Sequence, residues 1–250
     1  MNQNDFSKVE KMNIKSEVIF ANQGKDTSIK ETYIENGKYI ARMINTNTKG
    51  ASKNRNILLT YADADVCMLA DDDVQYYDGY AEKILAAFAR NKKADMIIFN
   101  VDTDSRERKI KKIIKERPMR KWDKNPYGSV RVAFKLNSQR KMNIWFNVLL
   151  GPNGKYKSGE DTKFINDFRE NGHVYLCPDV IGKVDFSKST WFDGYTENYF
   201  FNQGAKIEAL YGWMKWIMLV YYTLAITAEN VSVTKRCRLM LRGMRDYQRL

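Results

Sequence analysis

Ala62-Asp63-Ala64-Asp65-Val66-Cys67-Met68-Leu69-Ala70-Asp71-Asp72-Asp73 joins a short apolar run to three consecutive carboxylates. Val66 to Ala70 has the length and composition of a buried strand, so the acids stand where that strand emerges from a sheet. The ends of strands are where open α/β sheets bind ligands. Three crowded carboxylates repel one another, which favours a bound cation, and oxygen-only ligands suit magnesium or manganese better than zinc. The same triplet, taken by itself, also fits a solvated acidic turn.

Two further segments stand on either side of this junction. Upstream, Gly50-Ala-Ser-Lys-Asn54-Arg55-Asn56 precedes the apolar run Ile57 to Tyr61 and has the pattern of a turn opening a helix, with Ser52 as its N-cap and Arg55 in its first turns. Downstream, Ser158-Gly159-Glu160-Asp161 leads into residues whose apolar members Phe164, Ile165 and Phe168 recur at helical spacing, with Gly172 as the expected C-cap. Glu160 and Asp161 then sit at a helix N-terminus, where acids also serve as ordinary complements to the macrodipole.

The remaining pattern predicts strands over Val18 to Ala21, Tyr39 to Ile44 and Asp95 to Val101, and an amphipathic helix marked by Tyr80, Ile84, Leu85 and Phe88. Gly128 to Phe134 alternates as a half-exposed strand should, and Met142 to Leu150, helical or extended, feeds the loop Gly151-Pro-Asn-Gly154. Strands alternating with helices predict an α/β fold: a mostly parallel sheet flanked by helices.

The ordered set, an Asn-Arg segment, a strand ending in an aspartate motif and a Glu-Asp pair opening a helix, resembles the inverting glycosyltransferases of family 2 with the Rossmann-like GT-A fold. The resemblance extends to Ser16-Glu-Val-Ile-Phe-Ala-Asn22-Gln23, similar to the second strand of these enzymes. It also extends to Ser189-Thr-Trp191-Phe-Asp-Gly-Tyr195, similar to short bacterial members that build surface polysaccharides. It implies a nucleotide-diphosphate sugar as donor, a glycan or lipid-linked acceptor, and a divalent ion, manganese or magnesium, on Asp71 and Asp73. Asn22, Gln23, Asn54, Arg55 and Asp72 are implied as donor-binding residues; Ala70 occupies a place where some relatives carry an acid, so which aspartate touches the ion stays open. Asp161 is implied as the general base, supported by Glu160. The basic stretch after Val101 and the loop Gly151 to Lys157 are candidates for acceptor contacts. Relatives begin with an apolar first strand beside the aspartate-bearing one, whereas Met1 to Glu10 is polar and Met1-Asn2-Gln3 resembles the loop at that strand's end. The expectation is a chain that lacks this strand.

With 250 residues, 44% of them hydrophobic, the chain can bury a sizeable core. The division expected is an α/β domain over residues 1–205 and a C-terminal helical extension, amphipathic and basic, over 206–250. Cys67, Cys177 and Cys237 show neither paired nor metal-ligand spacing and are expected as reduced thiols. The sole histidine, His173, fits a strand edge better than a catalyst, and no Walker-type phosphate loop is present.

The net charge is +12. Ten lysines and arginines against three acids lie between Arg106 and Lys124, and six against Asp246 alone lie between Lys235 and Arg249. Ala209 to Ala228 carries one charge, Lys215, among interleaved tryptophans and tyrosines, a pattern that serves either a buried core helix or one lying in a membrane interface. With no signal-peptide pattern at the N-terminus, the location expected is the cytoplasm, peripherally attached to the cytosolic face of the membrane through anionic lipid, without nucleic acid. Two other classes share parts of this pattern: a metal-dependent nucleotidyl- or phosphotransferase, and a nonenzymatic basic protein that binds membrane or nucleic acid.

Overall fold

The computed structural model describes residues 5–24, 27–103, 110–185 and 194–250. Two compact units form along the chain: residues 1–49, 53–146 and 164–188 make the first, and residues 50–52, 147–163 and 189–250 the second.

In chain order the elements are helix α1 (Lys8–Lys11), strands β1 (Val18–Gln23), β2 (Ser28–Ile34) and β3 (Tyr39–Thr46), helix α2 (Ala51–Tyr61), strands β4 (Val66–Met68) and β5 (Val74–Tyr76), helix α3 (Tyr80–Arg90), strands β6 (Met96–Thr103), β7 (Arg117–Pro118) and β8 (Val132–Lys135), helices α4 (Leu136–Lys141) and α5 (Glu160–Asn171), strand β9 (Val174–Val184), and helices α6 (Glu197–Tyr211), α7 (Lys215–Ala225) and α8 (Val233–Gln248).

The first unit is built on two sheets. In one, β1 runs parallel to β3, pairing Val18 with Ala41 through Gln23 with Thr46, and β2 folds back antiparallel on β3. The turn between β2 and β3 holds Glu35, Asn36 and Gly37 at positive φ, a conformation for which Asn-Gly is suited. The other sheet has the order β4-β8-β6-β9-β5, with β7 also on β9. Here only β6 and β9 pair in parallel. The α/β class stands, but the sheet is mixed rather than mostly parallel. Apolar runs mark strands without recording direction, which the connections decide.

Strand β6 shows why the layers form. Met96 to Val101 is buried at every position, with Ile97, Phe99 and Val101 in one apolar cluster and Met96 and Ile98 in another. Tyr80, Ile84, Ala87 and Phe88 of α3 join the first cluster, and Phe164, Ile165 and Phe168 of α5 the second. A strand covered on both faces reads as a nearly continuous apolar run, and the one polar side chain within Met96 to Val101, Asn100, is satisfied by donating to the carbonyls of Ile113 (2.8 Å) and Pro178 (2.9 Å).

Several local expectations are corrected. Ser52 lies inside α2 and its hydroxyl donates to the Leu150 carbonyl (2.7 Å), so it does not cap the helix. Leu85 is exposed on α3. Gly128 to Phe134 is a 3-10 turn, Ser129–Arg131, followed by β8, whose Val132, Ala133 and Phe134 are all buried. Arg131 turns inward there, donating to the carbonyl of Phe99 (2.6 Å) and to Asn100 Oδ1 (2.9 Å), and burial pushes its guanidinium down to about 10. Met142 to Leu150 is irregular, and the helix lies just before it, at α4. Gly172 does stand at the C-cap of α5, its N–H donating to the Phe168 carbonyl (2.8 Å), but the reason for glycine is space and not a left-handed backbone: a side chain there would meet Met142 Cε at 2.5 Å and Asp95 Oδ2 at 2.7 Å.

In the second unit α6, α7 and α8 close around Phe200, Ile207, Leu219, Val231, Met240 and Met244. Thr196 caps α6 and Ser232 caps α8, each side chain accepting from a backbone N–H three residues on. Glycines let α6 and α8 cross closely: a Cβ on Gly204 would run into the Met240 backbone, and one on Gly243 into the Phe201 carbonyl. The apolar run beginning at Ala209 breaks at Gly212 (φ +46) into the end of α6 and α7. No helix among the described residues is long and apolar enough to cross a membrane.

Candidate active site

Strand β4 ends at Met68, and the backbone N–H of Leu69 still donates to the Val132 carbonyl (3.1 Å) before the chain turns out into the three aspartates. β4 is thus shorter than the run Val66 to Ala70, but the acids do follow its end. Arg55, in α2, reaches this turn. Its Nη2 donates to Asp71 Oδ1 (3.0 Å) and to Ser129 Oγ (2.8 Å), and its guanidinium lies 5.2 Å from the centre of the Phe146 ring. The Arg55 side chain is mostly buried, so its charge is fixed in place rather than swinging in solvent.

Asp72 accepts from Lys8 Nζ (3.1 Å), which also donates to the Asp72 carbonyl. Asp73 has no such cation among the described residues. Desolvation, then the charges of Asp71, Asp72 and Asp185, push its carboxyl up to about 6. Asp185, which follows β9, also donates its backbone N–H to the Asp73 carbonyl (3.2 Å).

At the end of β1, Asn22 is buried and donates to Asn45 Oδ1 (2.8 Å) on β3, and Asn45 in turn donates to Ser28 Oγ (2.9 Å). Gln23 is the last residue of β1. Asn54, in the first turns of α2, accepts from Thr48 Oγ1 (3.3 Å). Asn22, Gln23, Asn54, Arg55 and the three aspartates therefore all belong to the first unit.

Glu160 and Asp161 belong to the second unit and open α5. Glu160 is buried. Gly151, at φ +97, leaves room for it: a Cβ there would stand 2.8 Å from Glu160 Cδ. Lys206 of α6 lies across Gly159, its Cγ 2.9 Å from where a Cβ would be, and burial lowers the Lys206 ammonium while Glu160 opposes that shift. Asp161 is half-buried in the first turn of the helix, where the positive end of the macrodipole favours a carboxylate.

In the loop Gly151 to Lys157, Tyr156 is fully buried, its hydroxyl donates to Asp246 (2.8 Å), and Lys155 pairs with the same carboxylate (2.8 Å). Lys8, Ser129, Asp185 and Lys206 are contributors that carry no local sequence signal. Within the first unit Lys8, Ser129 and Asp185 meet the acidic turn and Arg55 by tertiary packing, and within the second Lys206 meets Glu160 in the same way. Residues 1–3, 106–109 and 189–193, on which parts of the N-terminal, basic and Ser189 to Tyr195 readings fall, lie outside the described residues.

Among the described residues no group of three or more His, Cys, Asp or Glu is arranged as a ready metal cage. The donor chemistry nevertheless suits a hard divalent ion: the atoms are carboxylate oxygens, the three aspartates are consecutive, and Asp73 is the one among them with no lysine or arginine beside it among the described residues.

Residues 9–150 match the family described as Glycosyl transferase family 2. No curated protein matches the chain. Among solved structures, S. aureus TarS residues 1–349 in complex with UDP-GlcNAc is similar at a TM-score of 0.64 and 14% identity, over 98% of this chain and 73% of that one. TarS 1–349 alone is similar at 0.56 and 14%, over 98% and 65%. The same segment with UDP is similar at 0.56 and 11%, over 94% and 63%. At these identities the likeness is one of fold, and the chain spans between 63% and 73% of the length of those structures.

Proposed function

The chain belongs to glycosyl transferase family 2, and from that premise we propose that it moves a sugar from a nucleotide-diphosphate donor to a glycan or lipid-linked acceptor, with inversion, in the building of a surface polysaccharide. The observation that carries the reading is the acidic turn after β4, held by Arg55 in the unit that also presents Asn22 and Gln23 at a strand end. UDP-GlcNAc, bound by the similar TarS structure, is the first donor to try.

Asp71 and Asp73 would hold a manganese or magnesium ion, which when bound neutralises charge on the departing diphosphate. Arg55 sits 3.0 Å from Asp71 and supplies a second positive charge beside the same turn. Asn22, Gln23, Asn54 and Asp72 contribute hydrogen bonds to the base, ribose or sugar. Asp161 takes the proton of the acceptor hydroxyl as its oxygen bonds to the anomeric carbon. The bond from that carbon to the phosphate oxygen breaks, and the nucleoside diphosphate leaves with the electron pair. Glu160, packed on Gly151, holds the start of α5 in position for Asp161. The acceptor is presented at the cytosolic face of the membrane, where the basic, aromatic C-terminal helices keep the enzyme.

Isothermal calorimetry with a panel of nucleotide sugars, with and without manganese, tests this. One donor should bind in the micromolar range only with the metal, and binding should vanish in Asp73→Asn. Equal, metal-independent affinity for every donor would remove the donor assignment.

A further inference from the structure

Trp213, Trp216, Ile217, Val220, Tyr221 and Leu224 follow one another at helical spacings of three and one, and each is between 51% and 75% exposed. They make one face of α7 and the turn leading into it. The other side of the helix, through Leu219, Met218 and Tyr222, packs into the core that α7 shares with α6 and α8. Half of α7 is therefore accounted for within its own unit, and a continuous aromatic and aliphatic face is left outward, an arrangement typical of a docking surface.

Helix α8 carries the complementary signal. Arg238, Arg242, Arg245 and, just past the end of α8, Arg249 recur at steps of three and four and are all exposed, forming a basic stripe; Lys235, which continues it toward the start of the helix, is paired with Glu197 (2.5 Å). Arg236 is not part of it: buried, it donates to the carbonyls of Val231, Ile226 and Ala228 at the start of the helix. The one acid of α8, Asp246, is taken by Lys155 and Tyr156.

From these two surfaces we propose that the exposed face of α7 lies in the headgroup region of a bilayer bearing anionic lipid, with the α8 stripe drawing the protein to it. Eleven residues of α-helix extend about 16 Å, roughly half the hydrocarbon thickness, so α7 lies along the interface and does not span it. Tryptophan and tyrosine, which are apolar at one end and polar at the other, suit that depth, and apolar contact combined with cations is the signature of an interfacial helix. A second copy of the chain seated on the same face is the competing occupant, and the test below separates the two. The inference extends the membrane location proposed above and is independent of the sugar chemistry.

Co-sedimentation of the full chain with phosphatidylcholine vesicles, plain or containing about one third phosphatidylglycerol, tests it. The chain should pellet with the anionic vesicles about tenfold more than with the plain ones, with a blue shift of tryptophan emission. The double variant Trp216→Glu, Val220→Glu should lose at least about tenfold of that binding while keeping nucleotide-sugar affinity in vesicle-free buffer. Arg242→Glu with Arg245→Glu should remove the preference for anionic vesicles and its salt sensitivity. Undiminished binding by the first variant would overturn the proposal. So would a vesicle-free dimer that the same variant turns into a monomer, which would make the face a contact between copies. Donor binding lost from the wild type with vesicle binding intact would instead strike only the transferase reading.

Discussion

Asp73 stands among three other carboxylates, and its value of about 6 lies above the ordinary 3.8, so the ionised form is penalised in the folded, metal-free protein. That penalty is fully present above about pH 6, shrinks as pH falls toward 3.8 and is gone below it. Metal-free protein should therefore gain thermal stability relative to Asp73→Asn as pH is lowered through 6, and Asp73→Asn should equal or exceed the wild type in stability at neutral pH. Manganese-dependent donor affinity should move the other way, weakening over the same interval as Asp73 takes a proton. Melting curves and calorimetry between about pH 5 and 8 check both signs. At Asp161 the expectation separates binding from chemistry: Asp161→Asn should keep donor affinity and lose turnover by about 10² to 10⁴. Retained turnover would return Glu160 and Asp161 to a capping role. These acids were visible in the sequence because carboxylates crowded at a strand end or opening a helix are chemically marked. Lys8, Ser129 and Lys206 were not, because a lysine or serine becomes part of a site only when folding brings it there.

Helices α6 and α8 depend on the absence of two side chains. Gly204 and Gly243 let each backbone approach the other, so Gly243→Ala should push the helices apart and destabilise the protein by about 1 to 3 kcal/mol, the usual cost of overpacking, read as a drop in melting temperature. An unchanged melting temperature would mean that the crossing relaxes freely. Helices with apolar spacing, such as α3 and α5, were legible from their periodicity, although Leu85 turned out exposed because the stripe is wider than the face that packs. Ser52 has the chemistry of an N-cap, but a buried hydroxyl goes to the acceptor that needs it, here the Leu150 carbonyl. The alternation in Gly128 to Phe134 misled for a similar reason: Arg131 is a polar residue turned inward to satisfy the Phe99 carbonyl.

At the scale of the whole molecule, the described strands form two sheets, and β1 and β4 each pair on one side only. Their free-edge amides should exchange with deuterium well before those of β6, which is paired on both sides and buried. Exchange mass spectrometry over Val18–Gln23, Val66–Met68 and Met96–Thr103 reads this, and equal protection in all three would show β1 and β4 to be covered. The polar start of the chain announced no first strand, and the described residues there form the short helix α1. By itself the sequence determined the α/β class, the family, and the places of Asp71 to Asp73 after β4 and of Glu160 and Asp161 at the start of α5, because apolar periodicity and clustered carboxylates are local properties that survive without coordinates. Only the tertiary structure decided the mixed strand directions, the pairing of Arg55 with Asp71 and Lys8 with Asp72, the glycine crossing of α6 and α8, and which face of α7 is left bare. Each of these depends on groups far apart in the chain meeting in space, and the spacing of residues along a chain does not encode that meeting.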